Sequence, residues 1–438
     1  STSDSVHLLV LLHGMWGNPG HLAEMARIAR EERPQLYVFL PETNKEDSTY
    51  DGIDWGGERI AQEILQEIST LHSQGKYVRQ FSITGYSLGG LVARYVVGIL
   101  SQRGLFSPDS PDYISPVNFN TIATPHLGVI QYDSFVSTVM HKLGPKLLSR
   151  TGEQFFCLDK WGTSQRPLLD VMSDPNLVFY QALSQFKHLQ VYANAIHDLT
   201  VPYVTAAIEV EDPFPEYETN GLEVSFLDEH YPILTSYSLP SSPPPPPPPK
   251  SNFLSRYRDH NSTSDSESQP RAITQKTPRL PLFLQFRFPL NILVYAALPF
   301  LFPTVLTLAF VRLSLASRSS KARIKLLEED VEFSAQSLAQ ALVHLEKQMD
   351  TVADLIDDPS STLTIPKLSL SAHPILSPLQ RTICARLNSL PRLRKERVFI
   401  RGVVSNTHST IVSRDPKVWD KTGVGLRVLR HWAGSLVL

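Results

Sequence analysis

The first half of the chain predicts an α/β fold built on a doubly wound, mostly parallel sheet. Three observations predict it. Residues 6–12 (VHLLVLL) and 36–40 (LYVFL) are continuous apolar runs, the mark of strands buried on both faces. Segments of helical periodicity lie between such runs. A serine between glycines, Gly85-Tyr86-Ser87-Leu88-Gly89, stands between an apolar strand and a helix.

The elements follow in order. The first run ends in His13-Gly14 and the second is stopped by Pro41. Residues 53–71 place Ile60, Ile64, Leu65, Ile68 and Leu71 at helical spacing. Residues 81–84 read as a short buried strand and residues 90–97 as a helix. A serine on so sharp a strand-to-helix turn has its hydroxyl pushed clear of the sheet, and the turn is too tight for flanking side chains, so Gly-x-Ser-x-Gly in this setting reads as a nucleophile elbow. Residues 119–123 and 189–193 are later strands. Fully apolar strands separated by helices imply a parallel sheet covered on both faces.

The 438 residues allow a large core and more than one region. A formal net charge of -2 points to no nucleic-acid partner. Cys157 and Cys384 make no disulfide framework and no metal-type spacing, which suits a reducing compartment. Residues 1–5 carry no basic stretch followed by an apolar run, so no secretory signal is read there, and the catalytic part is expected to face the cytosol.

Five regions are expected. Residues 1–235 form the α/β core. Residues 236–280, with seven consecutive prolines from Pro243 to Pro249 followed by polar residues, read as a stiff spacer and disordered linker; a ligand for a polyproline-binding module is the alternative. Residues 281–318 hold an uncharged run, 288–311, with basic residues on both sides (Arg279, Arg287, Arg312, Arg318, Lys321, Arg323), long enough for a membrane-associated segment. Residues 319–357 hold a long amphipathic helix with a stripe from Ile324 to Ile356 that suits packing on the core or a partner better than lying on a membrane. Residues 358–438 return to the core.

An activated serine needs a base, and the base an orienting acid. In α/β-hydrolases they follow in the order Ser, Asp or Glu, His, after successive strands. Asp198, in the loop after the strand at 189–193 and just before Val201-Pro202, is the acid candidate; Asp170 and Asp228 are weaker rivals. His408, in a polar loop after the apolar stretch that starts at Val398, is the favoured base; His230 is closer to Asp198 but leads only into the linker. His126 precedes the acid, the wrong order, and His13 reads as structural. The oxyanion hole needs the N–H after the nucleophile, Leu88, and a second from the loop after an early strand, where Met15 is placed. No metal or organic cofactor is required.

The set Leu11-Leu12-His13-Gly14-Met15-Trp16-Gly17-Asn18, Asp54-Trp55-Gly56-Gly57-Glu58-Arg59, the elbow with its helix through Tyr95, Ala123-Thr124-Pro125-His126-Leu127-Gly128 and His197-Asp198 with Val201-Pro202 resembles the fungal branch of the putative serine esterase (lipase-like) family. That branch includes monoacylglycerol lipases and lipid-droplet phospholipases, and the layout of this chain looks closer to the latter. The resemblance implies ester hydrolysis on glycerolipids. A catalytically silent membrane tether and an acyltransferase are the alternatives.

The triad constrains the apolar segment. Ser87 and Asp198 precede it and His408 follows, so a single span would part the base from its serine. The expectation is an anchor that re-enters or lies in the surface of a membrane or lipid droplet, bent at Pro299 and Pro303. A buried helix or lid is the alternative, as is a true span with a different base.

Overall fold

A computed structural model describes residues 4–162, 164–227, 231–240, 290–329, 373–402 and 406–438. The rival candidates Asp228 and His230, the linker from residue 241 and the amphipathic stripe from Val331 lie outside the described residues.

The strands are β1 (Asp4–Leu12), β2 (Leu36–Phe39), β3 (Lys76–Tyr86), β4 (Ser115–Ile122), β5 (Gln131–Tyr132), β6 (His188–Asn194), β7 (Glu223–Phe226), β8 (Ile233–Ser238), β9 (Pro374–Ile375) and β10 (Leu393–Val398). Eight form one sheet in the order β2-β1-β3-β4-β6-β10-β8-β7. From β2 to β10 every pairing is parallel, and the β7–β8 hairpin closes the far side antiparallel. Strands β5 and β9 pair separately.

Alternation along β1 explains the two layers. Leu8, Val10 and Leu12 face a core shared with the helices Ile53–Ser73, Leu88–Gln102 and Val178–Gln185. Leu9 and Leu11 face a second core, shared with Ala23–Glu32 and Val424–Ser435. Burial of both faces is why these strands are apolar throughout. The register aligns Leu12 with Gly85, Tyr86 with Ile122 and Asn194 with Val398, so the carboxyl ends of β1, β3, β4, β6 and β10 lie along one edge. In an open parallel sheet that edge is where ligands bind. This mostly parallel sheet, with a serine elbow after β3, is the α/β-hydrolase arrangement.

Two details correct the sequence reading. The strand that precedes His408 is β10, Leu393–Val398, so the apolar residues after Val398 follow the strand and do not form it. Its charged side chains are met locally: Lys395 pairs with Glu209 at 2.8 Å, Gln190 donates to Glu396, and Arg397 donates to the Tyr203 hydroxyl.

The second correction concerns the apolar segment. A single helix, Leu290–Glu329, runs through Pro299 and Pro303 and across the boundary drawn at 318–319. The helix continues through both prolines, so the chain does not turn back there. Two prolines four residues apart put both missing N–H groups on one helix face, and the Thr304 and Thr307 hydroxyls donate back to the Phe300 and Pro303 carbonyls. The second half of this helix docks on the sheet domain. Ala316, Ser317, Ser320 and Ile324 are buried, Ser317 donates to the Lys146 carbonyl, and Ser320 meets Ser149. In the first half Phe300, Val305 and Leu308 are exposed. Among the described residues no helix is long and apolar enough to cross a membrane.

The dock is anchored by Asp51, whose fully buried carboxylate takes Arg59 at 3.0 Å and Arg323 of the long helix at 2.7 Å. Nearby, Asp54 holds Arg150 at 2.6 Å and accepts from Gln154. Burial alone would raise the Asp54 carboxyl, but the Arg150 guanidinium overrides this and holds it below the usual carboxylate range. The Asp-Trp-Gly-Gly-Glu-Arg motif is thus a structural lock. Asp51→Ala, which strands two guanidinium groups, should lower stability by about 3 kcal/mol and make the long helix more sensitive to proteolysis. Urea unfolding with limited digestion checks both; an unchanged urea midpoint would refute the anchor.

Candidate active site

Ser87 sits between β3 and the helix Leu88–Gln102 with φ 56° and ψ -126°, a strained conformation for a residue with a side chain. Its N–H bonds the Ile122 carbonyl at 2.9 Å and its carbonyl accepts from Gly90, which fixes the turn. A Cβ on Gly85 would collide with the Gly89 carbonyl, so the turn requires glycine there.

The structure brings Ser87, His408 and Asp198 together. His408 Nε2 lies 3.1 Å from Ser87 Oγ, and His408 Nδ1 lies 3.0 Å from Asp198 Oδ2. Since the carboxylate can only accept, Nδ1 carries the hydrogen and Nε2 is left to accept from the serine hydroxyl. The His408 side chain is 10% exposed and that of Asp198 1%, so neither pair is diluted by bulk water.

Each member is held from behind. Asp198 Oδ1 accepts from the N–H groups of Thr200 and Val201, and Oδ2 also accepts from Asn194 Nδ2 at 2.8 Å. Asn406 ties the acid and base loops together. Its Oδ1 accepts from Leu199 and His408 N–H, and its Nδ2 donates to Thr200. The Thr407 N–H and hydroxyl donate to the carbonyls of His197 and Ile196. The His408 ring lies 5.0 Å from the Tyr86 ring, and the Tyr86 hydroxyl donates to the His408 carbonyl. Asn194, Asn406 and Tyr86 were not found from the sequence. Only the place of Asn406 two residues before the histidine, an N-cap position, carries a signal.

Of the two oxyanion candidates, Leu88 directly follows Ser87, and Met15 is next to the glycine that packs on Ser87. Leu88 is the first residue of its helix, where the N–H has no intrahelical acceptor. Met15 follows Gly14, and a Cβ added to Gly14 would stand 2.7 Å from Ser87 Cβ. The loop is tied by Gly17 N–H to the Gly14 carbonyl and by Trp16 N–H to the Thr49 hydroxyl.

The rivals are placed elsewhere. Asp170 pairs with Arg166 and Arg386, both at 2.7 Å. His126 is buried with Nε2 on the Thr121 hydroxyl, and burial beside the Arg94 guanidinium pushes its pKa well down. His13 is buried with Nδ1 on the Gly14 carbonyl, and burial lowers its pKa. Among the described residues no His, Cys, Asp and Glu cluster of metal-binding form occurs.

A cleft of about 400 Å³ is lined by Trp16, Tyr50 and Asp47 on one side and by Ala309, Arg312 and Leu313 of the long helix on the other. Trp16 is half exposed, and its indole N–H donates to the Tyr50 hydroxyl at 2.8 Å.

Comparison with known proteins agrees with the sequence motifs. Residues 2–208 match the family described as Putative serine esterase (DUF676). The chain is similar to Putative lipase C4A8.10 of Schizosaccharomyces pombe, with 32% identity over 50% of this chain and 28% of that one. It is similar to Putative lipase ROG1 of Saccharomyces cerevisiae, with 28% identity over 46% of this chain and 28% of that one. Against Putative lipase YDL109C of the same yeast, identity is 28% over 47% of this chain and 31% of that one. The chain thus spans less than a third of the length of these relatives. Among solved structures, the lin2722 gene product of Listeria innocua aligns over 46% of this chain and 77% of that chain, with 13% identity and a TM-score of 0.27. A lipase-esterase related protein from Clostridium acetobutylicum aligns over 47% and 81%, with 12% identity and the same TM-score. Scores this low add nothing to the fold assignment, which rests on strand order and the elbow. The family match thus covers residues 2–208, which carry Ser87 and Asp198.

Proposed function

We propose that this chain is a serine lipase that hydrolyses glycerolipid esters through an acyl-enzyme. The observation that carries the proposal is the unbroken hydrogen-bonded array from Ser87 through His408 to Asp198 at 3.1 and 3.0 Å. Ser87 Oγ attacks the ester carbonyl while His408 Nε2 takes its proton. The imidazolium so formed is stabilised by the buried Asp198 carboxylate, which already holds Nδ1–H. The negative oxygen of the tetrahedral intermediate is met by the N–H groups of Leu88 and Met15. His408 then passes its proton to the leaving alcohol. Water, deprotonated by the same nitrogen, releases the fatty acid.

We place the enzyme on the cytosolic face of a membrane or lipid droplet. The uncharged run at 288–311, with Phe300, Val305 and Leu308 exposed and Arg312, Arg318 and Lys321 behind it, suits an apolar probe backed by cations that meet phosphates. Docking of the second half of the helix on the sheet domain supports a reading in which Ser87 and His408 stay on one side of the surface. The cleft between Trp16 and the helix would then lead lipid from the surface to the serine.

Three outcomes are expected. A serine-directed phosphonate should label the full chain but not Ser87→Ala, and Ser87→Ala and His408→Ala should each lose about 10⁴-fold or more in ester hydrolysis; full activity in either variant would sink the mechanism. Gly14→Ala should fold yet lose roughly 10- to 100-fold in kcat, because its Cβ displaces either the oxyanion loop or Ser87; equal rates would mean that the loop does not serve the oxyanion. Val305→Asp with Leu308→Asp should cut flotation with phospholipid vesicles by about tenfold; undiminished flotation would remove the helix from the anchor.

A further inference from the structure

A second cavity, of about 380 Å³, opens on the other side of the site, beside the acid of the array. The loop that carries Asp198 forms one wall. Tyr132, Tyr203, Phe214 and Tyr217 supply four aromatic rings, and Asp212 a carboxyl group. Phe214 and Tyr203 are buried and pack edge to face, with centroids 4.9 Å apart and planes at 83°. The Tyr203 hydroxyl is taken by Arg397, and the Tyr217 hydroxyl by the Glu218 side chain. Their polar ends are therefore already occupied.

Asp212 is unusual in such surroundings. Its Oδ1 accepts from Phe214 N–H at 2.9 Å, and His373 is the positive group that acts on it. Burial pushes its pKa up to about 6, with His373 pulling the other way. Tyr132 feels the same carboxylate, its own pKa being raised by burial and by Asp212. Residues 209–218 also carry Glu209, Glu211, Glu216 and Glu218; Lys395 and Arg397 pair with Glu209, and Arg401 and His373 act on Tyr217 and Asp212.

An acyl chain in this cavity would dry the carboxylate without giving it a counter-charge, at a cost. An alkylated ammonium group satisfies both features. Its charge is attracted to Asp212 and to the half-buried rings of Tyr132 and Tyr217, and its methyl groups need no hydrogen bonds. We propose that this cavity binds a quaternary ammonium headgroup of the choline type. That the headgroup belongs to the lipid whose ester Ser87 attacks rests on the lipase reading; the preference for the cation does not. Asp198 links the two, since it lines the cavity and stands two hydrogen bonds and one imidazole from Ser87 Oγ.

Calorimetric titration of the full-length Ser87→Ala protein tests this without turnover. Choline should bind at least about tenfold more tightly than 3,3-dimethylbutanol, its uncharged isostere. Asp212→Asn and Tyr217→Ala, each added to Ser87→Ala, should both weaken choline by about fivefold or more. A soluble short-chain phosphatidylcholine should displace choline, which assigns the site to a lipid headgroup, whereas choline binding without displacement would overturn that assignment. Equal affinity for choline and its isostere, or no loss in either variant, would overturn the cation site. Because binding is read with the nucleophile removed, a failed esterase assay would sink the lipase reading and leave this result standing.

Discussion

The contact between His408 and Ser87 joins residues 321 positions apart, and the layout of the molecule follows from making it. The chain must lay down the nucleophile and the acid, leave the sheet, and come back in register. Strand β10 achieves the return by pairing parallel to β6 over six residues, which sets the base loop beside the acid loop at the same sheet edge. The β7–β8 hairpin then covers what would otherwise be an open strand. Asn406 completes the closure, because one amide side chain bonds both loops and fixes their spacing. Alignment of the array is thus a property of sheet register, with loop contacts making the final adjustment.

Legibility in the sequence tracked burial. Strand β1 could be read because a parallel strand covered on both faces must be apolar, and β2, β4 and β6 from short runs rich in apolar residues. The elbow could be read because its geometry excludes side chains at fixed positions. Strand β10 could not: Leu-Arg-Lys-Glu-Arg-Val carries no such pattern, since its long side chains reach Glu209, Gln190 and Tyr203 and are satisfied there. His408 was nevertheless found, because its place after a late strand depends on chain order, which outlasts an error of a few residues in the strand itself. The supporting asparagines were missed because their role lies in partners distant in sequence, which composition does not encode.

The long helix shows a different limit. Two prolines in an apolar run suggest a break, yet their spacing of four residues aligns the defects on one face, and threonine hydroxyls occupy nearby carbonyls. What decides the helix's course is its far half, where Asp51 draws in Arg323 and a row of small buried residues (Ala316, Ser317, Ser320) allows close approach. Charge pairing with the sheet domain therefore orients an element whose other half carries exposed apolar residues.

The wide separation of the array has a consequence for biosynthesis. Chains emerge from the ribosome amino end first, and domains fold as they appear. The elbow and the acid loop are made early, and the long helix, with its exposed apolar half, comes next. The histidine arrives only after all of these. A nascent chain therefore carries the exposed half of the long helix before its serine has a base, and late delivery of one side chain sets when the array is complete.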